Sequence, residues 1–166
     1  EILCESYSSS YGMDIGVVRL FSVYGPNSPS HSLMNSIIRQ ILTETDLKLG
    51  NINTKRDFIF ISDVVDAIKI IIKNNHGFND YNIGTGKSTA ISQVCNMLNK
   101  TAGKNLPIKS VSSKIRKNDT PEMVANIEKI KKLGWKPKYT LSDGLTATFD
   151  WYLNQSKKIV DKNNFK

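Results

Sequence analysis

The sequence has no apolar run approaching the ~18 residues that a membrane-crossing helix needs. The run at Ile70 to Ile72 is interrupted on either side by Lys69 and Lys73, so no membrane association is expected. There are only two cysteines, Cys4 and Cys95. They show neither the paired spacing of a zinc site nor the even framework of a secreted disulfide scaffold, and reduced thiols in a cytoplasmic protein are expected. Cys95 falls on the apolar stripe of its helix and should be core. The opening residues, Glu-Ile-Leu-Cys-Glu, carry neither an initiator Met nor the basic and apolar regions of a signal peptide. They read as a chain entered partway through a helix, and no internal repeat follows.

What is present is enough apolar matter, 39% of 166 residues, to bury one core with room for a small second lobe. The net charge of +8 raises the question of nucleic acid. However, Lys48, Lys55, Lys73, Lys104, Lys117, Lys132, Lys138 and Lys158 are spread along the whole length. A nucleic-acid footprint gathers basic residues on one element with aromatics between them, so this charge reads as a solvated surface.

Residues 1 to 11 have helical spacing and are closed by Gly12. Ile15 to Phe21 is β-branched and nearly continuous in apolar character, which predicts a strand covered on both faces in a parallel sheet. A loop from Val23 through Pro29 leads to a helix from Ser32 with Leu33, Ile37 and Ile41, then a short strand at Leu47 to Leu49 and a polar turn over Gly50 to Thr54. Phe58 to Ile61 predicts another strand. The helix after it begins at Asp63, carries Asp63 and Asp66 in its first turn, and turns Val64, Ile68, Ile71 and Ile72 inward. A strand at Tyr81 to Ile83 runs into Gly84-Thr-Gly86 and a helix with Ile91, Val94, Cys95 and Leu98. A strand near Ile108 to Val111 follows. Asn126 is placed to cap a helix that ends at Gly134, with Ile127, Ile130 and Leu133 inward. Thr140 with Asp143 predicts a capping box for the last helix, whose stripe is Leu141, Leu145, Phe149 and Tyr152, and a polar tail from Lys157 is expected to fray. Strands alternating with helices predict an α/β class with parallel pairing.

Gly84-Thr-Gly-Lys87-Ser88-Thr lies between a strand and a helix, as a phosphate-cradling loop does. The full signature needs a glycine where Tyr81 stands, so a tight turn allowing close packing is the preferred reading over a nucleoside triphosphatase. Arg56-Asp57 sits at a strand entrance and reads by itself as either a surface ion pair or a ligand group. In Arg116-Lys-Asn-Asp119 a guanidinium suited to a diphosphate stands three residues before a carboxylate suited to hydroxyls. Arg56 and Arg116 are among only four arginines in a chain whose other basic residues are lysine, which favours planar, bidentate recognition.

In order, Arg19-Leu-Phe-Ser-Val-Tyr-Gly-Pro26, Arg56-Asp-Phe-Ile-Phe-Ile-Ser-Asp63, Tyr81-Asn-Ile-Gly-Thr-Gly86, Arg116-Lys-Asn-Asp119, Leu133-Gly-Trp-Lys-Pro137 and Asp143-Gly-Leu145 resemble the C-terminal half of the extended short-chain dehydrogenase family. These are the NAD-dependent epimerases and dehydratases of nucleotide sugars, and the resemblance covers roughly residues 1 to 153. It implies the last strands and helices of a Rossmann-like parallel sheet plus a small mixed substrate-binding lobe. It further implies that Ser22 contacts the substrate diphosphate from a position usually held by Asn. Ser32 and Leu33 would open a helix against the nucleotide, and Leu49 would lie beside the base. Arg56 and Arg116 would hold the diphosphate, with Asp119 on the ribose, Val23 near the nicotinamide end of NAD and Met123 beside the sugar.

The family's chemistry uses Tyr-x-x-x-Lys, whose phenolate accepts a proton while hydride passes to NAD. No tyrosine here has a lysine four residues on, and the glycine-rich pyrophosphate turn is also missing. Residues 1 to 166 are therefore expected to be the C-terminal portion of an NAD-dependent enzyme, inactive alone. The favoured parent activity is 4-epimerisation of a UDP-sugar, with a homodimer expected for the parent. A dehydratase or reductase of the same family and a non-catalytic nucleotide-binding module are the alternatives.

Overall fold

A computed structural model describes the backbone of residues 1–163 and the side chains of residues 1–155. In chain order the elements are α1 (Ile2–Tyr11), β1 (Ile15–Leu20), β2 (Ser22–Tyr24), α2 (Leu33–Thr43), β3 (Leu47–Leu49), β4 (Lys55–Arg56), β5 (Phe58–Phe60), α3 (Ile61–Asn74), β6 (Phe78–Ile83), β7 (Thr89–Ala90), α4 (Ile91–Thr101), β8 (Ile108–Ser110), β9 (Glu122–Met123), α5 (Glu128–Lys131) and α6 (Leu141–Asn163). Contacts divide them into two compact units. The first comprises Glu1–Val23, Arg56–Ser88 and Met123–Tyr139, and the second Tyr24–Lys55, Thr89–Glu122 and Thr140–Lys166.

In the first unit β1 and β6 pair in parallel, from Ile15 opposite Phe78 to Leu20 opposite Ile83, and β2 pairs with β5. The α/β class with parallel strands is as predicted. Ile59, Val64, Ala67, Ile71, Tyr81 and Ile83 form a core closed by Ala125, Ile127, Ile130 and Trp135. Gly16 lets α3 lie close on β1, because a Cβ at that position would come within 2.7 Å of Ile71 Cγ2. The strand is not covered on both faces, however. Leu20 is 51% exposed, and Val18, Ile68, Ile71 and Ile72 border an open hollow. α3 begins at Ile61, two residues earlier than expected, so Asp66 lies beyond the first turn. Ile72 is exposed rather than inward, because the helix packs through the face that carries Val64, Ala67 and Ile71.

The second unit pairs β3 with β8 in parallel, Leu47 opposite Ile108 and Leu49 opposite Ser110. Its helices α2, α4 and α6 pack together over Ile37, Ile38, Ile41, Val94, Cys95, Leu98 and Leu145, all fully buried. Each large aliphatic side chain so enclosed contributes about 1.5–3 kcal/mol relative to exposure. The two helix starts predicted here are formed. Ser32 Oγ accepts from Asn35 N–H at 3.3 Å, and Thr140 Oγ1 accepts from Asp143 N–H at 3.2 Å. α6 continues past Tyr152, and the polar tail's side chains and final three residues lie outside the described residues.

Candidate functional site

The first unit gathers its site residues at Asp57. This residue is fully buried, so the surface ion-pair reading of Arg56-Asp57 is wrong for the acid. Its backbone carbonyl accepts from Ser22 N–H at 3.0 Å, and its own N–H donates to the Met123 carbonyl at 3.0 Å. Its carboxylate collects four donors. Oδ1 accepts from the Thr85 N–H at 2.7 Å and the Thr85 hydroxyl at 2.6 Å. Oδ2 accepts from the Gly86 N–H at 2.9 Å and the Ala125 N–H at 3.1 Å.

Ser22, Arg56 and Met123, three of the residues assigned to substrate by resemblance, are thus joined through one residue. Successive side chains of an extended chain leave on opposite sides. With Asp57 held inward, Arg56 is half-buried and Met123 is 44% exposed. Val23, next to Ser22, is half-buried against the core.

The same contacts settle the glycine-rich turn. Its amides point inward at a protein carboxylate and are not open to a phosphate. At Gly84 a Cβ would lie 2.5 Å from the Ala125 Cβ and 2.6 Å from Asp57 Oδ2, so glycine is there for close approach. Lys87 lies exposed beyond the turn. Sequence reasoning assigned the glycines correctly but missed Asp57 as the anion they surround. The only signal was an acid directly after Arg56.

Asp63 is a second buried carboxylate, 1% exposed. It accepts from the backbone N–H groups of Lys138 at 3.0 Å and Tyr139 at 3.1 Å, tying the Leu133-Gly-Trp-Lys-Pro137 segment to the start of α3. Nearby, Lys138 Nζ lies 2.6 Å from Asp66, and this pairing holds the Asp66 carboxyl below its ordinary value of 3.8. Arg19 pairs with both Glu1 and Asp80, and Lys129 adds a contact to Asp80 at 3.1 Å. The Lys129 contact is the largest influence holding the Asp80 carboxyl below the usual range. These exposed pairs anchor α1 and α5 to β1 and β6 and are not part of a binding cluster.

In the second unit Ser32 and Leu33 open α2 and are half-buried. The approach to that helix is fixed by a polar triad in which Asn35 Nδ2 donates to the Tyr152 hydroxyl at 2.8 Å and to the Ser28 carbonyl at 3.0 Å. The Tyr152 hydroxyl in turn donates to Ser28 O at 3.1 Å. Burial raises the Tyr152 hydroxyl above its ordinary value of 10.0. Leu49 is 5% exposed, its side chain in the core, and its carbonyl accepts from Val111 N–H at 2.7 Å. The loop after β8 carries Arg116, exposed, and Asp119, half-buried. Among the described residues no cluster of His, Cys, Asp and Glu could hold a metal ion.

A family model described as GDP-mannose 4,6 dehydratase matches residues 1–148. The chain is 33% identical over 154 residues to a UDP-glucuronate 4-epimerase of Thermodesulfobacterium geofontis, covering 91% of this chain and 47% of that protein. It is 26% identical over 160 residues to GDP-L-fucose synthase 1 of Arabidopsis thaliana, covering 90% and 49%. Among solved structures, the UDP-glucuronic acid 4-epimerase of Bacillus cereus, in complex with UDP-glucuronic acid and NAD, superposes with a TM-score of 0.84. The identity is 28%, and 93% of this chain and 50% of that one are covered. The chain spans about half the length of the curated relatives it matches.

Proposed function

This chain belongs to the GDP-mannose 4,6-dehydratase family of NAD-dependent epimerases and dehydratases, and from that premise we propose that it is the sugar-nucleotide-binding portion of an epimerase acting on a UDP-sugar at C4. The observation that carries the binding role is the junction at Asp57, where Ser22, Arg56 and Met123 are linked by backbone hydrogen bonds and by chain adjacency. The choice of a UDP-sugar and of epimerisation draws on the relatives that act on UDP-glucuronate.

In this reading Arg56 and Arg116 neutralise the diphosphate with guanidinium groups suited to paired phosphate oxygens. Ser22 adds a hydroxyl donor to the same group, and Asp119 accepts from the ribose. Ser32 and Leu33 bring the start of α2 against the nucleotide, with the strand end at Leu49 beside the base. Met123 borders the sugar with an adaptable side chain. Holding a substrate by its diphosphate orients the sugar ring for reaction, and that positioning is the protein's share of the catalysis.

The cofactor is NAD, which removes and returns hydride when bound. The residues described here do not hold a dinucleotide by themselves. The family's glycine-rich dinucleotide turn holds the cofactor pyrophosphate with free backbone amides, and those of Thr85 and Gly86 are engaged by Asp57. Val23 alone is assigned to the nicotinamide end. With no Tyr-x-x-x-Lys in the sequence, no turnover is expected of this chain alone. The parent is expected to be cytoplasmic and homodimeric, and no helix among the described residues is long and apolar enough to cross a membrane. A 4,6-dehydratase is the second reading, favoured by the description of the matching family model.

Calorimetric titration with UDP-glucuronic acid, GDP-mannose and ATP tests the assignment. UDP-glucuronic acid is expected to bind at least about tenfold more tightly than GDP-mannose, the scale of one lost hydrogen-bonding partner in a base pocket. Preference for the GDP-sugar overturns the UDP assignment, and no binding of either overturns the site.

A further inference from the structure

Asp57 was not assigned to substrate by sequence or resemblance, yet every residue of the first unit that was so assigned lies within a few atoms of it. Its carbonyl fixes Ser22, its N–H fixes Met123, and Arg56 precedes it in the chain. All four partners of its side chain are donors, two on each oxygen. Both oxygens must therefore accept, which an ionised carboxylate does and a carboxamide does not.

An isosteric Asn would turn an NH2 group toward at least one backbone N–H, which can only donate, whichever way its amide were placed. The pair on one side is Thr85 N–H and hydroxyl, and on the other Gly86 N–H and Ala125 N–H. No water or loop movement can relieve that conflict cheaply. The residue is fully buried, and Gly84 is packed against both the carboxylate and Ala125.

We infer that Asp57 is a positioning residue for the substrate diphosphate: its carboxylate, clamped by the Thr85–Gly86 turn and Ala125, sets the direction in which Arg56 leaves the chain, and its backbone holds Ser22 and Met123 in register with that guanidinium. The inference rests on the reading of Arg56 as a diphosphate ligand. It goes beyond that reading in making the glycine-rich turn part of the site. The turn binds no phosphate itself and acts by fixing the anion that aims an arginine at one.

The test compares UDP with UMP, two probes that differ by the phosphate Arg56 is expected to reach. Calorimetry on the full chain gives the ratio of the UMP to the UDP dissociation constant. Partial unfolding weakens both ligands by the same factor and leaves this ratio unchanged, so the ratio separates positioning from general destabilisation.

Asp57→Asn is expected to lower the ratio about tenfold, as loss of a charge-assisted contact does. Thr85→Val removes one donor and keeps the shape of the turn, and it is expected to lower the ratio in the same direction by a smaller factor. Thr85→Val also decides the matter if Asp57→Asn does not fold. If the unsubstituted chain binds UDP no more tightly than UMP, the diphosphate reading fails and the inference falls with it. If the unsubstituted chain discriminates and both variants retain its full ratio, the diphosphate reading stands and Asp57 is merely structural.

Discussion

The indole Nε1 of Trp135 donates to the backbone carbonyl of Asp63 across 3.2 Å in the buried interior of the first unit. Residues 72 positions apart are thereby joined, and the Asp63 carboxylate adds the amides of Lys138 and Tyr139. Asp63→Ala leaves those amides without their acceptor and is expected to lower unfolding free energy by about 1.5–3 kcal/mol in urea denaturation. A loss below about 0.5 kcal/mol, the range of ordinary surface changes, contradicts the role given to this carboxylate.

Gly84→Ala would force a methyl group to within 2.6 Å of Asp57 Oδ2 and 2.5 Å of the Ala125 Cβ. Overpacking of this kind costs about 1–3 kcal/mol. Because it presses on the Asp57 carboxylate, it is also expected to weaken UDP binding. A variant of unaltered melting temperature would show that the turn is looser than the geometry indicates.

The Gly84-Thr-Gly86 turn should show no affinity for ATP through its amides, because Thr85 and Gly86 already donate to Asp57. Lys87→Ala is accordingly expected to leave ATP titrations as featureless as those of the unsubstituted chain. Saturable ATP binding abolished by that substitution contradicts this account of the loop.

Cys95 is fully buried, and burial pushes its thiol up to about 12 from 9.0. The thiolate is the reactive form, so at pH 8 a thiol reagent is expected to modify Cys4 in the folded chain and to reach Cys95 only in denaturant. The folded chain holds this proton more tightly than the unfolded one, so stability falls as pH rises above 9.0. Equal labelling rates for the two cysteines under native conditions would place Cys95 outside the core.

Three carboxylates lie below their ordinary value of 3.8, Asp46 through Lys109, Asp66 through Lys138 and Asp80 through Lys129. Their folded values are depressed, so their contribution is complete above 3.8 and is lost as pH falls through the folded values. The lysine partners are exposed, though Asp46 itself is buried and Asp66 and Asp80 half-buried, and the effect is expected to be small and to shrink in high salt. Acid titrations of the melting temperature at low and high ionic strength check both statements. A loss centred near neutral pH would have another source.

Local signals were legible and distant ones were not. Thr140 could be read as a capping residue because a cap and its amide lie within three positions of each other, whereas Asn126 falls one residue short of the cap: α5 runs only over Glu128–Lys131 with Ile127 as its N-cap, and Asn126 Oδ1 accepts from Glu128 N–H from outside it. Parallel pairing could be anticipated from strands alternating with helices, but not which strand meets which. Thr89–Ala90 and Glu122–Met123 are strands of two residues, too short to show alternation. Ile72 fell on a plausible stripe, but which side of α3 is covered depends on the sheet beneath it. Asp57 was hidden for the strongest reason. Its partners Thr85, Gly86 and Ala125 stand 28, 29 and 68 residues away, and no spacing rule connects them. The family pattern named Arg56 beside it, while the partners of Asp57 emerged only in the folded structure.

The most direct test of the central claim is the affinity of the chain for UDP-glucuronic acid before and after Arg56→Ala and Arg116→Ala, measured by calorimetry. Each substitution is expected to weaken binding by more than about tenfold, the cost of a lost charge-assisted contact to a phosphate. Binding that survives both substitutions unchanged contradicts recognition of a nucleotide sugar through these arginines.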